Sequence, residues 1–176
     1  MLQSLSAVND LENMIKGRIA EALIEELLRA CGNKVYRFGY ESILQNLVQN
    51  GSRFDHRSPN GEQIRSIPDF VVVNDEGKSF FVEVKFRANP AWLVNNPKVK
   101  QLKEYWQAKL ILVTTSKPYF RVVDPQSLFD NELSFVALES DPDFNIRRRP
   151  LEKCERLLKR FLMNGSHTER GLGLHP

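Results

Sequence analysis

The spacing of hydrophobic and polar positions predicts that the chain begins with a helix followed by a strand. Apolar residues recur every three or four positions from about residue 10 to residue 31, and Asn9 and Asp10 are candidate N-caps. A Gly-Asn pair follows and is a typical stop signal. Residues 34–41, with VYRFGY at their centre, are typical of a short strand.

Two alternating segments further along predict a β-hairpin. Residues 67–74 (IPDFVVVN) are apolar and β-branched, and residues 79–87 (SFFVEVKFR) alternate between the two faces of a strand. The intervening DEGK is a turn sequence. A helix over about 98–107 and a buried strand over 109–115 (KLILVTT) are expected to follow.

The remaining segments predict additions to this core. Within residues 42–66, SILQNLVQN is a candidate short helix and GSRFDHRSPNGEQ is loop-like. PYFRVV and LSFVAL are candidate strands or sheet edges, and Pro150 suits the first turn of a final helix. We expect one domain over 1–163, with a core at about 10–115, an insertion at about 42–66, a C-terminal basic helix at about 150–163 and a flexible tail at 164–176. The element order predicts a mixed α/β sheet flanked by helices.

Composition narrows the class of protein. The 176 residues are 41% hydrophobic and 27% charged, as in an ordinary globular domain, which argues against disorder, collagen repeats and a coiled-coil rod. No apolar run approaches the roughly 20 residues that span a bilayer, and the N-terminus lacks the pattern of a secretory signal. The two cysteines, Cys31 and Cys154, form neither a disulfide framework nor a zinc motif. We therefore expect a cytoplasmic protein with no membrane partner.

The second hairpin strand carries the main chemical signal. Alternation places Glu83 and Lys85 on one face, while the opposite face is wholly apolar. If the strands pair, Asp69 on the first strand converges with Glu83 at one end of the hairpin. Two carboxylates and an ammonium suit Mg²⁺, with Mn²⁺ as an expected substitute, together with an activated water. Lys85 can orient or deprotonate that water, or stabilise charge on a phosphate. By itself, however, Glu-x-Lys is more often part of a solvated sheet face.

Two helical pairs supply context for the hairpin. Met14, Gly17, Glu21, Ile24 and Leu28 form one stripe, and Glu21 is its one charged member, so burial requires a metal or cation partner. The alternative is that Glu21 lies at the edge of the stripe and reaches solvent. Glu25 and Glu26 fall nearer the polar side. On the later helix, Gln101 and Tyr105 lie one turn apart and can support a metal site or hold a phosphate, unless the helix is simply amphipathic.

In this order, Gly17-x-x-x-Glu21, Pro68-Asp69, Glu83-Val84-Lys85 and Gln101-x-x-x-Tyr105 resemble the PD-(D/E)XK nuclease superfamily, and the last element resembles its RecB-type branch. The resemblance covers about residues 10–115. It implies a restriction-endonuclease-like αβββαβ core and a metal-dependent phosphodiesterase that acts on DNA. It also implies that Asp69 and Glu83 are metal ligands with help from Glu21, that Lys85 is the catalytic lysine, and that Gln101 and Tyr105 are accessory catalytic residues.

Basic residues predict where nucleic acid binds. Residues 145–162 hold seven basic and two acidic residues, an excess of five, whereas the whole chain carries a net charge of +3. The predicted phosphate contacts are Lys98, Lys100, Lys103, Arg147, Arg148, Arg149, Arg156, Lys159 and Arg160. The alternative is an ordinary solvated helix face. Trp92 and Trp106 can stack on bases, although a core role fits them better, and His56 is expected to be an ordinary loop residue.

These observations leave two main functional hypotheses. The first is a Mg²⁺-dependent DNA endonuclease, as a homodimer, with repair or junction processing, restriction or homing, and mobile-element roles all open. The second is a catalytically inactive nucleic-acid-binding or assembly module with the same fold. A chance motif on an unrelated α/β domain is a third interpretation.

Overall fold

The computed structural model describes residues 2–39, 55, 57–87, 97–123 and 135–163. In the described residues the chain forms a six-stranded mixed sheet flanked by helices. The helices are α1 (Leu2–Ala30), α2 (Pro59–Arg65), α3 (Pro97–Gln101), which continues as a π-helical turn over Leu102–Trp106, and α4 (Arg148–Leu158), which continues as a π-helical turn over Lys159–Met163. The strands are β1 (Lys34–Arg37), β2 (Phe70–Val73), β3 (Ser79–Phe86), β4 (Lys109–Val113), β5 (Phe120–Val123) and β6 (Val136–Ala137).

The strands lie in the sheet in chain order, from β1 to β6. All neighbours are antiparallel except β3 and β4, which are parallel and joined by the crossover that contains α3. The predicted hairpin is confirmed, with Phe70 opposite Val82 and Val73 opposite Ser79. The predicted order of the core elements is also confirmed, as is the mixed α/β class. In the described part of LSFVAL, residues 135–138, the strand spans Val136–Ala137 and is followed by a 3₁₀ turn over Leu138–Ser140.

Each face of the sheet has its own apolar layer. Ile111 and Val113 of β4 belong to the larger core, which includes the C-terminal half of α1 and the apolar side of α4. Leu110 and Leu112 point the other way and pack with Val99 of α3. Alternating side chains of one buried strand therefore contact helices on both sides, which explains why β4 is apolar throughout.

Helix α1 differs from its prediction at its start. It begins at Leu2, so the N-cap proposed at Asn9 and Asp10 is wrong. Its end is as predicted, because Gly32 takes a φ of +101° just after the helix, a conformation that glycine adopts without strain. The proposed apolar stripe is buried only in its second half: Ile24 and Leu28 are fully buried, whereas Met14 is exposed.

The burial of Glu25 on α1 also differs from the prediction. It was assigned to the polar side, yet it is buried between two arginines. Arg29 lies 2.7 Å from one carboxylate oxygen and Arg37 of β1 lies 2.5 Å from the other. Two cationic partners offset the cost of burying this carboxylate, and the bridge ties β1 to α1. Glu26 is exposed, as expected.

Part of the proposed insertion is helical rather than loop-like. Residues 59–65 form α2, with Pro59 in its first turn and the Ser58 hydroxyl accepting a hydrogen bond from the Gly61 amide at 3.0 Å. The sequence Ser-Pro is therefore a helix start here rather than a turn. The candidate helix at 42–50 and the proposed tail at 164–176 lie outside the described residues.

The final helix, α4, lies antiparallel to α1. The Arg147 amide donates to Cys31 Sγ at 3.2 Å, and Cys154 Sγ donates to the Leu23 carbonyl at 3.7 Å. Pro150 lies in the first turn, as predicted. Both cysteines are buried and unpaired as a disulfide. In the parts of the chain that the structure describes, no helix combines the length and the apolar character needed to cross a bilayer.

Candidate active site

The Asp69 side chain lies where the β2–β3 ladder ends. The last paired residues are Phe70 and Val82, and Asp69 precedes β2. Asp69 Oδ2 accepts a hydrogen bond from the Val84 amide at 2.8 Å, so a carboxylate takes the place that a strand carbonyl would otherwise occupy. The Asp69 carbonyl accepts from the amides of Phe38 and Gly39, at 2.9 and 3.2 Å. Asp69 is thereby fixed from both sides, by β3 and by the segment after β1.

Glu83 and Lys85 flank Val84 on the same face of β3, as alternation predicts. Lys85 Nζ donates to Glu83 Oε1, and it also lies 3.3 Å from the Val84 carbonyl oxygen. Glu83 is fully buried, and the Lys85 side chain is 18% exposed. The sequence prediction that Asp69 converges with Glu83 and Lys85 agrees with this geometry.

Burial and the neighbouring charges shift the pKa values of Asp69 and Lys85. Burial, followed by the negative charges of Glu83 and Glu21, raises the pKa of Asp69 from 3.8 to about 7, against the opposing effects of Lys85 and the Val84 amide. Burial by itself would lower the pKa of Lys85, but attraction to Glu83, Asp69 and Glu21 outweighs it and raises that pKa above its ordinary value. A protonated lysine thus lies within a group of carboxyl groups that repel one another.

Glu21 belongs to this electrostatic group. It is half-buried on α1, one turn before the fully buried Ile24, and its charge acts on both Asp69 and Lys85. Glu21 therefore lies beside the cluster rather than at a fully solvated edge of the apolar stripe. Gly17, one turn earlier, has open space where a side chain would begin, so no described residue packs closely against the helix at that point.

The donor set fits a hard divalent cation in its chemistry. All the candidate ligands are carboxylate oxygens, which Mg²⁺ and Mn²⁺ prefer, and Mg²⁺ commonly takes only one or two carboxylates together with waters and phosphate oxygens. The described residues contain no group of three or more His, Cys, Asp or Glu side chains arranged to hold a metal. Asp69 and Glu83 are the two carboxylates that the hairpin brings together, and the expected help from Glu21 as a ligand stays a prediction.

Helix α3 covers the face of β3 that bears these groups. Trp106 packs edge-on against Phe81, with ring centroids 5.3 Å apart, and against Phe38 at 5.6 Å. Its indole Nε1 donates to Ser66 Oγ at 3.1 Å. The core role expected for Trp106 therefore agrees with the structure, and Phe81 precedes Glu83 on the same face. Trp92 and His56 lie outside the described residues.

Gln101 and Tyr105 lie on either side of a change in helix type. Gln101 ends the α-helical part, and Tyr105 lies in the π-helical turn. This turn is wider than an α-helical turn, but residues four apart still lie about one turn apart in it. Gln101 is half-buried and Tyr105 is 42% exposed. Their accessory role stays a prediction.

The predicted phosphate contacts divide into separate groups. Lys100 is exposed and Lys103 is half-buried on α3, whereas the Lys98 side chain lies outside the described residues. Because α4 runs antiparallel to α1, its start lies beside Cys31 and its end lies towards the Glu21 half of α1. Arg147, Arg148 and Arg149 are thus at the far end. The group on the Glu21 side is Arg156, Lys159 and Arg160, and all three side chains are exposed. We call it the distal basic cluster because it lies at the C-terminal end of α4.

The buried ionic group around Lys109 was also not predicted. Lys109 of β4 is 6% exposed and donates to Asp141 at 2.8 Å and to Asp143 at 2.5 Å. Its ammonium lies 5.2 Å from the ring centroids of both Phe80 and Phe144. Lys109 shares a face with Ile111 rather than Leu110, so this group lies on the opposite face from Glu83. In the sequence, KLILV resembles a strand with a solvated first residue, which conceals the burial.

Comparison of the chain with protein-family models, with curated proteins and with solved structures finds no match.

Proposed function

We propose that this protein is a Mg²⁺-dependent DNA endonuclease of the PD-(D/E)XK type. The observation that carries the proposal is the position of Asp69, hydrogen-bonded to the Val84 amide between Glu83 and Lys85. The register of β2 and β3 brings Asp69 next to Glu83, but the hairpin itself does not require two carboxyl groups and a lysine at these positions. Their convergence, at the cost of a raised Asp69 pKa, is typical of a functional site.

The order of the elements supports the same proposal. A helix bearing Glu21, three antiparallel strands, a crossover helix and a parallel fourth strand correspond to the restriction-endonuclease-like αβββαβ core implied by the sequence resemblance. The site lies at the open end of the β2–β3 hairpin, where Glu83 and Lys85 are on β3 and Asp69 directly precedes β2.

In the proposed mechanism, Asp69 and Glu83 would hold the divalent ion. When bound, that ion would polarise a phosphate oxygen and lower the pKa of a water. Lys85 has a raised pKa, so it acts as a proton donor and positive charge rather than as a base. Its ammonium orients the attacking water or stabilises charge that develops on the phosphate. Glu21 adds negative charge, which strengthens attraction of the cation towards the site.

The exposed cations at the C-terminal end of α4 support a polyanionic substrate. The distal basic cluster lies on the solvent side of α4, whose other side packs in the core through Leu151, Cys154 and Leu158. Exposed cations on a rigid helix suit phosphate contacts and give salt-dependent binding.

The test is cleavage of plasmid, linear, branched and single-stranded DNA with Mg²⁺, with Mn²⁺ and with EDTA. We expect metal-dependent cleavage that Asp69→Asn and Lys85→Met each reduce by about 100-fold or more. Matched controls are Glu76→Gln in the hairpin turn and Lys34→Met on β1, both exposed, which should keep wild-type rates. Wild-type cleavage that persists in EDTA, or that survives Asp69→Asn, contradicts the assignment.

One observation favours a second candidate, the inactive nucleic-acid-binding module. Lys85 forms an ion pair with Glu83, so one carboxylate oxygen of a proposed ligand is already engaged by an ammonium. If the protein is such a module, wild type binds DNA with a strong salt dependence but shows no turnover with either metal. It then also shows no Mn²⁺ affinity that depends on Asp69. Turnover with Mg²⁺ excludes it.

A further inference from the structure

Arg37 of β1 carries a guanidinium that is anchored by buried groups and still open to solvent. Its Nη2 donates to Glu25 Oε2 at 2.5 Å, and its Cζ lies 6.0 Å from the centroid of the Phe70 ring. Glu25 and Phe70 are both buried, yet the Arg37 side chain is 61% exposed. Buried groups therefore hold the guanidinium in place while more than half of the side chain faces solvent.

Both anchors of Arg37 lie beside the candidate active site. Phe70 directly follows Asp69 in the chain and is the partner of Arg37 in the β1–β2 ladder. Glu25 lies one turn further along α1 than Glu21, which is about 6 Å along the helix axis. The charge of Glu21 in turn acts on Asp69. The Arg37 guanidinium therefore flanks the site on the side of α1.

The second arginine that contacts Glu25 has a structural role that accounts for its contacts. Arg29 lies 2.7 Å from Glu25 Oε1, and it donates to the Val35 carbonyl at 3.0 Å. It also lies 3.8 Å from Glu26, so two carboxylates share its charge. Arg29 thus braces the end of α1 against β1. The exposed part of Arg37 has no comparable structural explanation in the described residues.

The carboxyl groups of the site create a need for a cation in this position. Asp69, Glu83 and Glu21 repel one another, and they would also repel the phosphates of a polyanionic substrate. A cation beside them offsets that repulsion where a strand enters or leaves the site. None of the phosphate contacts predicted from the sequence lies on β1.

We propose that Arg37 binds a phosphodiester group of the substrate strand next to the one that is cleaved. This inference rests on the nuclease function proposed above. A planar guanidinium can donate two parallel hydrogen bonds to a phosphate, and such charge-assisted bonds are about twice as strong as neutral ones. Glu25 is then a positioning residue, because its buried carboxylate fixes Arg37 before the substrate arrives.

The first test is DNA binding by fluorescence anisotropy over a range of salt concentrations, with Ca²⁺ in place of Mg²⁺. We expect Arg37→Gln to lower the salt slope by about 0.9, the value for one lost phosphate contact with duplex DNA, and Arg37→Lys to keep most of it. The matched control is Arg29→Gln, which also removes one charge and one partner of Glu25 and should lower the slope by less than half as much.

Urea unfolding shows whether the two glutamine variants are comparable in stability, since each leaves Glu25 with one arginine. An Arg37→Gln slope equal to that of wild type, or to that of Arg29→Gln, overturns the inference.

Steady-state cleavage provides the second test. The bond from Arg37 to a neighbouring phosphate is made in both the bound substrate and the transition state. Arg37→Gln should therefore raise KM by about 10-fold while kcat stays within about twofold of wild type. Glu25→Gln should raise KM in the same direction by a smaller factor. A fall in kcat at unchanged KM contradicts the assignment.

The two proposals can fail separately in these measurements. A wild type that binds DNA but cleaves with neither metal contradicts the nuclease function, while the salt slopes still decide whether Arg37 binds phosphate. A wild type that cleaves DNA and has the same salt slope as Arg37→Gln contradicts only the role of Arg37. A wild type that binds no DNA contradicts both.

Discussion

Asp69 and Val84 are joined by a hydrogen bond of 2.8 Å from a main-chain amide to a carboxylate oxygen. The bond has a structural consequence, since it satisfies the amide of β3 where β2 no longer pairs with it. It has a chemical consequence too, since it fixes one carboxylate beside Glu83 and Lys85. The same contact therefore ends a β-ladder and positions the candidate site.

The raised pKa of Asp69 predicts an unusual pH dependence in metal-free protein. A carboxyl whose pKa rises from 3.8 to about 7 on folding binds its proton more tightly in the folded state. Its contribution to stability is thus greatest at low pH and is lost as pH rises from about 4 to about 7. In EDTA, we expect Asp69→Asn to remove this decline in the free energy of unfolding.

Carboxyl ¹³C titration by NMR measures the same property directly. We expect one aspartate to titrate near pH 7 in wild type and to be missing in Asp69→Asn, while Glu76→Gln leaves it unchanged. An Asp69 that titrates near its ordinary value would show that the cluster does not hold the carboxyl as described.

The ion pair of Lys85 with Glu83 predicts an asymmetric stability effect. Lys85→Met leaves the fully buried Glu83 carboxylate without its ammonium, which should cost about 3 kcal/mol of unfolding free energy in urea titrations. Adding Glu83→Gln should recover much of that loss, because the uncompensated charge is then removed. The control Lys34→Met changes an exposed lysine and should change stability by less than about 0.5 kcal/mol. A Lys85→Met protein as stable as wild type would mean that the pair is not buried in solution.

Much of the fold follows from local pattern, and much of the rest depends on tertiary contacts. The alternation in SFFVEVKFR is sufficient to orient Glu83 and Lys85, and the turn at DEGK fixes the hairpin. Local pattern does not show that Glu25 is buried, because its burial depends on Arg37 from a different element. The burial of Lys109 likewise depends on residues from another element, because its partners Asp141 and Asp143 lie more than thirty residues away in the sequence. Long-range ion pairs leave no periodic signal in the sequence.

Lys109 offers a test that separates structural from catalytic lysines. Burial alone would lower its pKa, but hydrogen bonds to Asp141 and Asp143 outweigh that effect and raise it. Lys109→Met should therefore destabilise the fold by about 3 kcal/mol, since the buried Asp141 carboxylate loses its ammonium partner while Asp143 keeps only Lys78. The cleavage rate of the folded variant should stay near wild type, because Lys109 lies on the opposite face of the sheet from Glu83. A fall in rate of about 100-fold with the fold intact would place Lys109 in the chemistry.

The two ends of α4 should contribute unequally to DNA binding. The distal basic cluster lies towards the Glu21 half of α1, whereas Arg148 and Arg149 lie beside the opposite end, where Arg148 also pairs with Glu152 at 2.8 Å. Replacing Arg156, Lys159 and Arg160 together with glutamine should reduce the salt slope of binding by about 2 to 3, at about 0.9 for each lost phosphate contact with duplex DNA.

The matched variant Arg147→Gln/Arg148→Gln/Arg149→Gln, which also removes three charges, should change that slope by less than 1 by the same relation. Fluorescence anisotropy with a labelled duplex, measured over a range of salt concentrations in the presence of Ca²⁺ or EDTA, gives both slopes without cleavage. Because each variant removes positive charge from the same helix, a difference between them reports position rather than net charge. Equal slopes for the two variants would mean that DNA follows the whole helix. A larger effect at the start of α4 would place the bound DNA away from Asp69, which would count against that carboxylate acting on it.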